Sequence, residues 1–135
     1  MVEHSLLRQT THHSLWPVSI AGAITSGDTA EVARLPVQAR VVSLSVKNAT
    51  GASQTLAIGT AATPALFRAS AALADGASVT GVADAGLFYR VVEGAYPYLS
   101  VIATFGANAA APTGPLWVNI GYLVDEPTAP AGSGL

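Results

Sequence analysis

Residues 40–59, RVVSLSVKNATGASQTLAIG, decide the fold class of this chain. Val42, Leu44 and Val46 alternate with Ser43, Ser45 and Lys47, the period-two pattern of a strand with one buried face. Residues 48–53 then supply Asn, Thr, Gly and Ser, which accept turn geometry or hydrogen-bond their own backbone. Alternation resumes at Leu56 and Ile58. The pattern predicts a β-hairpin whose two apolar rows share one face.

The segments on either side extend the same style. Toward the C-terminus, residues 98–105, YLSVIATF, and 116–124, LWVNIGYLV, are the next clear strands. In the first, both alternating sets carry apolar residues, so burial on both faces is expected. In the second, Leu116, Val118, Ile120, Tyr122 and Val124 share a face. Between the hairpin and these strands the signal is weaker. Residues 65–73 suit either a short helix led by Pro64 or a strand, and the strands around them favour an irregular or strand-like path. Asp75-Gly76 reads as a hairpin turn into residues 78–82, and LFYRVV at 87–92 reads as a further strand by composition. Residues 106–114, GANAAAPTG, read as a loop.

Toward the N-terminus, residues 29–35 predict a strand that Pro36 ends, as at a sheet edge, and residues 18–24 predict a short one limited by Gly22. Residues 1–17 stand apart, with Leu6, Leu7, Leu15 and Trp16 but no regular period. They read as an extended arm that docks on a neighbour or on its own body. Residues 126–135, EPTAPAGSGL, read as a flexible tail. The expected organisation is an arm (1–17), one sandwich domain (18–125) and a tail (126–135). The expected fold class is all-β, a single antiparallel β-sandwich, jelly-roll-like.

Composition bounds the function. The 135 residues are 50% hydrophobic but only 10% charged, against roughly 25% in an ordinary globular protein. A lone soluble monomer is normally coated with charge, so this chain is expected to live in an assembly. The net charge of −2 and the single Lys, Lys47, argue against nucleic acid, which needs clustered cations. Cysteine is absent, and with it disulfides, thiol catalysis and thiolate metal sites. The opening MVEHSLLRQTTHH lacks the basic start and apolar core of a secretory signal, and no apolar run reaches the ~20 residues of a membrane-spanning helix.

Candidate chemistry is sparse. His4, His12 and His13 all lie on the arm, and the adjacent pair would point to opposite faces of a strand, so neither a metal site nor a Ser-His-Asp triad can be assembled around them. Asp28, Glu31, Asp75, Asp84, Glu93, Asp125 and Glu126 fall in or beside predicted turns and strand ends, where solvated charges belong. The glycine-rich stretches lack the Gly-Lys-Ser/Thr ending of a phosphate loop. No catalytic, cofactor-binding or metal-binding residue is assigned, and an enzyme is not expected. Among the aromatic residues Tyr89, Tyr96, Tyr98, Trp117 and Tyr122, the last suits the core, while Tyr98 and Trp117 suit contacts with another chain. Tyr96, Tyr98 and Trp117 also make a second reading possible, a carbohydrate-binding or adhesive module with rings stacked on sugar.

A short apolar arm, LPVQARVVSLSVKNATGASQTLAIGT, small turns and a closing PLWVNIGYLVDEP together resemble the small β-sandwich virion proteins of tailed bacteriophages. The resemblance covers about residues 17–127 and is greatest in character to head decoration, or cement, proteins. It implies a structural protein of the capsid surface that binds the major capsid protein, commonly as a homotrimer, with arms reaching across capsomer boundaries. It implies synthesis in the host cytoplasm and no cofactor. The interface residues expected on this reading are Leu6, Leu7, Leu15, Trp16, Tyr98 and Trp117.

Overall fold

The computed structural model describes residues 12–18, 22–95, 97–106 and 111–124, without the side chains of residues 14–18 and 93. The strands are β1 (His12–Val18), β2 (Thr29–Pro36), β3 (Ala39–Asn48), β4 (Gln54–Gly59), β5 (Arg68–Leu73), β6 (Ser78–Thr80), β7 (Tyr98–Phe105) and β8 (Leu116–Val124). They form two four-stranded antiparallel sheets, ordered β1-β8-β3-β6 and β2-β7-β4-β5. The pairings are nested: β1 with β8, β2 with β7, β3 with β6 and β4 with β5. This is the wrapping of an eight-stranded jelly roll. Residues 93–95 make one 3-10 turn, and no helix among the described residues is long and apolar enough to cross a membrane.

The predicted hairpin at 40–59 is not one. β3 and β4 have the expected bounds to within a residue at their outer ends, but they belong to different sheets, and the chain between them crosses the sandwich. Asn48 explains the crossing. Its fully buried side chain donates to the carbonyls of Ala52 at 2.8 Å and Leu73 at 2.9 Å, and it accepts from the Thr50 amide and hydroxyl. Gln54 Nε2 then donates to Thr50 Oγ1. A two-stranded turn would leave these groups in water; here they line a buried corner and every bond of Asn48 fixes the bend. Asp75-Gly76 behaves likewise: β5 pairs only with β4 and β6 only with β3, so this turn also crosses between sheets.

Several other expectations are corrected. The first strand is residues 12–18, while Ile24 makes only an isolated bridge; residues 19–21 lie outside the described ones. β1 pairs along its length with β8, so residues 12–17 of the expected arm are an edge strand of the body. Residues 65–73, by contrast, are as expected, turns followed by strand β5 and no helix. Residues 87–92 are not a strand: Phe88 has a φ of 62°, and only Arg90 forms a bridge, to Arg40. The segment nonetheless runs beside β3, with the Phe88 amide donating to Val41 O and the Val91 amide to Ala39 O. It covers the half of the β3 edge that the three-residue β6 leaves open.

The core lies between the sheets. Val32, Ala33 and Leu35 of β2, Val41, Leu44 and Val46 of β3, Leu56 and Ile58 of β4, Val101, Ala103 and Phe105 of β7, and Leu116, Val118 and Ile120 of β8 are all buried there. A register shift between Val41 and Ser43 turns Val41 inward in place of Val42, which is half-buried. β7 buries one face only; Ser100, Ile102 and Thr104 on the other are half-buried. Phe67 sits fully buried where residues 60–67 meet residues 83–86, edge-on to Tyr89 at 5.9 Å. A side chain at Gly86 would collide with Leu66 O and the Phe67 ring, so only glycine lets these two segments close.

Candidate interaction surfaces

With the inner faces consumed by the core, function has to reside on the outer faces, the edges and the two ends. β1, β3, β5 and β7 run away from one end, where Pro36, Gly59, Thr80 and Val124 close their strands. This is the exit end, because residues 1–11 and 125–135 both attach there. The opposite end holds the Asn48 bend and is the corner end.

Trp117 lies on the outer face of β8 near the corner end and is 37% exposed. Its neighbour across the ladder is Lys47. Ser45, Ser78, Thr80 and Asn119 complete a shallow depression beside it. Asn119 Oδ1 is buried there with no hydrogen-bond partner among the described residues, an acceptor that suits a donor arriving from outside.

Tyr98 lies on the outer face of the other sheet, at the exit end, and is also 37% exposed. The Arg34 guanidinium stacks over its ring at 4.6 Å, while Arg34 Nε donates to Glu31 Oε1 at 2.9 Å. Ser100 Oγ donates to Glu31 Oε2 at 2.6 Å. The Ser100 hydrogen bond, opposed by some desolvation and aided by Arg34, holds the Glu31 carboxyl below its ordinary range. The residues of this cluster come from β2 and β7, whose register puts Arg34 opposite Ser100 and Pro36 opposite Tyr98.

The interface residues expected from sequence therefore do not form one surface. Tyr98 and Trp117 are on opposite faces and at opposite ends, so they make no common sugar platform; Tyr96 lies outside the described residues. Leu15 and Trp16 fall on β1, where their backbones pair with Asn119 and Val118, and Leu6 and Leu7 lie outside the described residues. His12 and His13 are exposed, His12 stacking on Tyr122 at 5.6 Å and His13 beside Gly121. Tyr122 is half-buried against the core. Among the described residues no three His, Cys, Asp or Glu side chains converge as a metal site would require.

One surface was missed by sequence reasoning. Leu87, Phe88 and Val92 are 39%, 56% and 58% exposed, three large apolar side chains within six residues at the exit end. The available signal was their density: an apolar run bounded by Asp84-Ala85-Gly86 and Glu93-Gly94 is too hydrophobic for a loop unless something covers it.

No family model matches this chain, and no curated protein does. Solved structures do. Its fold matches chains of two phage capsids. One belongs to the cyanophage Pam1 capsid asymmetric unit, with 24% identity, a TM-score of 0.69, and coverage of 87% of this chain and 86% of that chain. The other belongs to the capsid of Ralstonia phage GP4, with 18% identity, a TM-score of 0.70 and the same coverage of each.

Proposed function

We propose that this chain is a structural virion protein of a bacteriophage that binds and stabilises the outer surface of the capsid, as a decoration or cement protein. The observation that carries this reading is the likeness in fold to chains in two phage capsids, over 87% of this chain and 86% of each of those. The physics of the surface supports it. A cement protein holds neighbouring subunits together through many weak contacts acting at once, which requires a rigid body with several low-charge faces and no reaction centre. Tyr98, beside the Arg34–Glu31 pair, Trp117, beside Lys47, and the apolar Leu87–Phe88–Val92 strip offer contact surface on three parts of the sandwich. The partners on this reading are the major capsid protein and further copies of the chain, in a homotrimer, with the N-terminal residues as the anchoring arm and the virion as its location.

The test is co-sedimentation of the purified chain with capsids of its own phage that lack it, followed by electron cryomicroscopy. Saturable binding at fixed lattice positions, with greater resistance of the heads to heat, is the expected result. Absence of binding to expanded and unexpanded heads alike removes the proposal. The adhesive reading retains only Trp117 and its polar depression as a site, and glycan binding that vanishes in Trp117→Ala would replace the capsid reading.

A further inference from the structure

The sheets end in the edge strands β1, β6, β2 and β5, and an edge strand offers unpaired amides and carbonyls to any other extended chain. Most of these edges are blunted by ordinary means. β2 carries Glu31, Arg34, Pro36 and a register shift between Glu31 and Ala33. β1 carries His12, His13 and Pro17. β6 is only three residues long, and the Phe88 and Val91 amides bond to the β3 edge beyond it. β5 is different. Ala69, Ser70, Ala71 and Ala72 are exposed, small and uncharged, and the strand holds no proline.

The register shows where this edge is open. The Gly106 amide donates to Thr55 O, which turns the Thr55 backbone toward β7. Ala72, the partner of Thr55, therefore turns its own amide and carbonyl away from β4 and past the end of the sheet. The one charged residue of the strand is Arg68, and its position opposite the fully buried Ile58 aims it at the inner side of the sandwich.

An arginine sits poorly in that place. Its Nε is buried with no hydrogen-bond partner among the described residues, Nη2 donates to Ala71 O at a long 3.4 Å, and desolvation lowers the pKa of the guanidinium. It also adjoins the irregularity between the Leu56 and Ile58 pairs, which bends the strand beside the charge. An aliphatic side chain at this register would leave no donor stranded. From this placement we infer that Arg68 guards the β5 edge. A strand added beside β5 would close over the guanidinium and take its remaining N–H groups out of water, so the edge stays unpaired although its other residues invite pairing.

The inference is tested on the full-length purified chain, apart from any binding to capsids. Arg68→Met, close in length, should keep its circular dichroism spectrum and self-associate roughly tenfold more tightly than the natural chain by sedimentation velocity. Arg68→Lys, which retains the charge, should associate as the natural chain does. Arg68→Met/Ala72→Pro should fall back to that same level, because the substitution at 72 removes an amide that faces the open edge and no bond of the ladder. Unchanged association in Arg68→Met overturns the inference. So does tighter association that survives Ala72→Pro, which would locate the contact elsewhere, and so does a gain in Arg68→Lys equal to that in Arg68→Met. If Arg68→Met does not fold, Arg68→Gln takes its place with the same readings.

Discussion

The two ends of the sandwich are built from the same strands and solve opposite problems. At the corner end three connections interlock through hydrogen bonds: Asn48, Thr50 and Gln54 bond one another, Gly51 N donates to Asp75 Oδ1, and Thr113 N donates to Thr50 O. Gly114 packs so closely on Ala49 O that no side chain fits between them. At the exit end the backbone is strained at Gln38 and Phe88, and apolar side chains stand in water. The corner end is tied by side-chain hydrogen bonds, although Gln54 Oε1 is buried there without a partner among the described residues, whereas the exit end exposes apolar side chains. The comparison teaches that side-chain hydrogen bonding ties the connections together at one end, while the opposite end carries backbone strain and exposed apolar side chains.

Substitutions can break or sharpen this contrast. The largest expected effect is in the core behind the exit end: Phe67→Ala should cost about 4 kcal/mol, seen as a lower urea midpoint, because the collar of Leu66, Gly86 and Tyr89 around the ring cannot collapse into the cavity. A loss below about 1 kcal/mol would mean that the exit end is not packed as described. Asn48→Ala should cost about 3 kcal/mol by the same measurement, since it strands the carbonyls of Ala52 and Leu73 in a buried corner. If the corner tolerates it, hydrogen bonding does not define that end.

Phe88→Asn should do the reverse and raise the stability of the isolated chain by about 1 kcal/mol, because asparagine accepts a positive φ at less cost. Calorimetry checks it: an unchanged or lower midpoint would show that the positive φ at Phe88 carries no strain. The smallest effect concerns Glu31. Its folded-state pKa is lowered, so its stabilising contribution is fully present above the ordinary carboxylate value and is lost as pH falls through the lowered one. Acid unfolding of Glu31→Gln should therefore show a slightly flatter limb below the ordinary carboxylate range, and an identical limb would show that the Ser100 and Arg34 contacts carry no stability. The side chains are substantially exposed, so the difference is expected to be small.

The legible part of the fold was the local part. β7 and β8 have the bounds that alternation assigns, because Val101, Ala103 and Phe105, and Leu116, Val118 and Ile120, must each present one row to a core. Pro36 marked the end of an edge strand correctly, since it has no amide for a ladder. β1 was not legible: His12 and His13 precede the few apolar residues, and what makes 12–18 a strand is the edge of β8, from His12 opposite Tyr122 to Val18 opposite Leu116, far along the chain. The LFYRVV run misled because β composition describes what packs on a sheet, and here β6 and a positive φ at Phe88 prevent a full ladder.

From its sequence alone this chain is an all-β, charge-poor protein with strands at 40–47, 98–105 and 116–124 and no visible reaction centre. Only the tertiary structure decided that 40–59 bends between sheets instead of folding on itself, that Tyr98 and Trp117 face apart, and that Leu87, Phe88 and Val92 stand exposed beside the start of β3. The reason is physical. Alternation reports which side of a strand is buried, a property of neighbouring residues, whereas the partner of each strand follows from which distant edges are free once the core has closed.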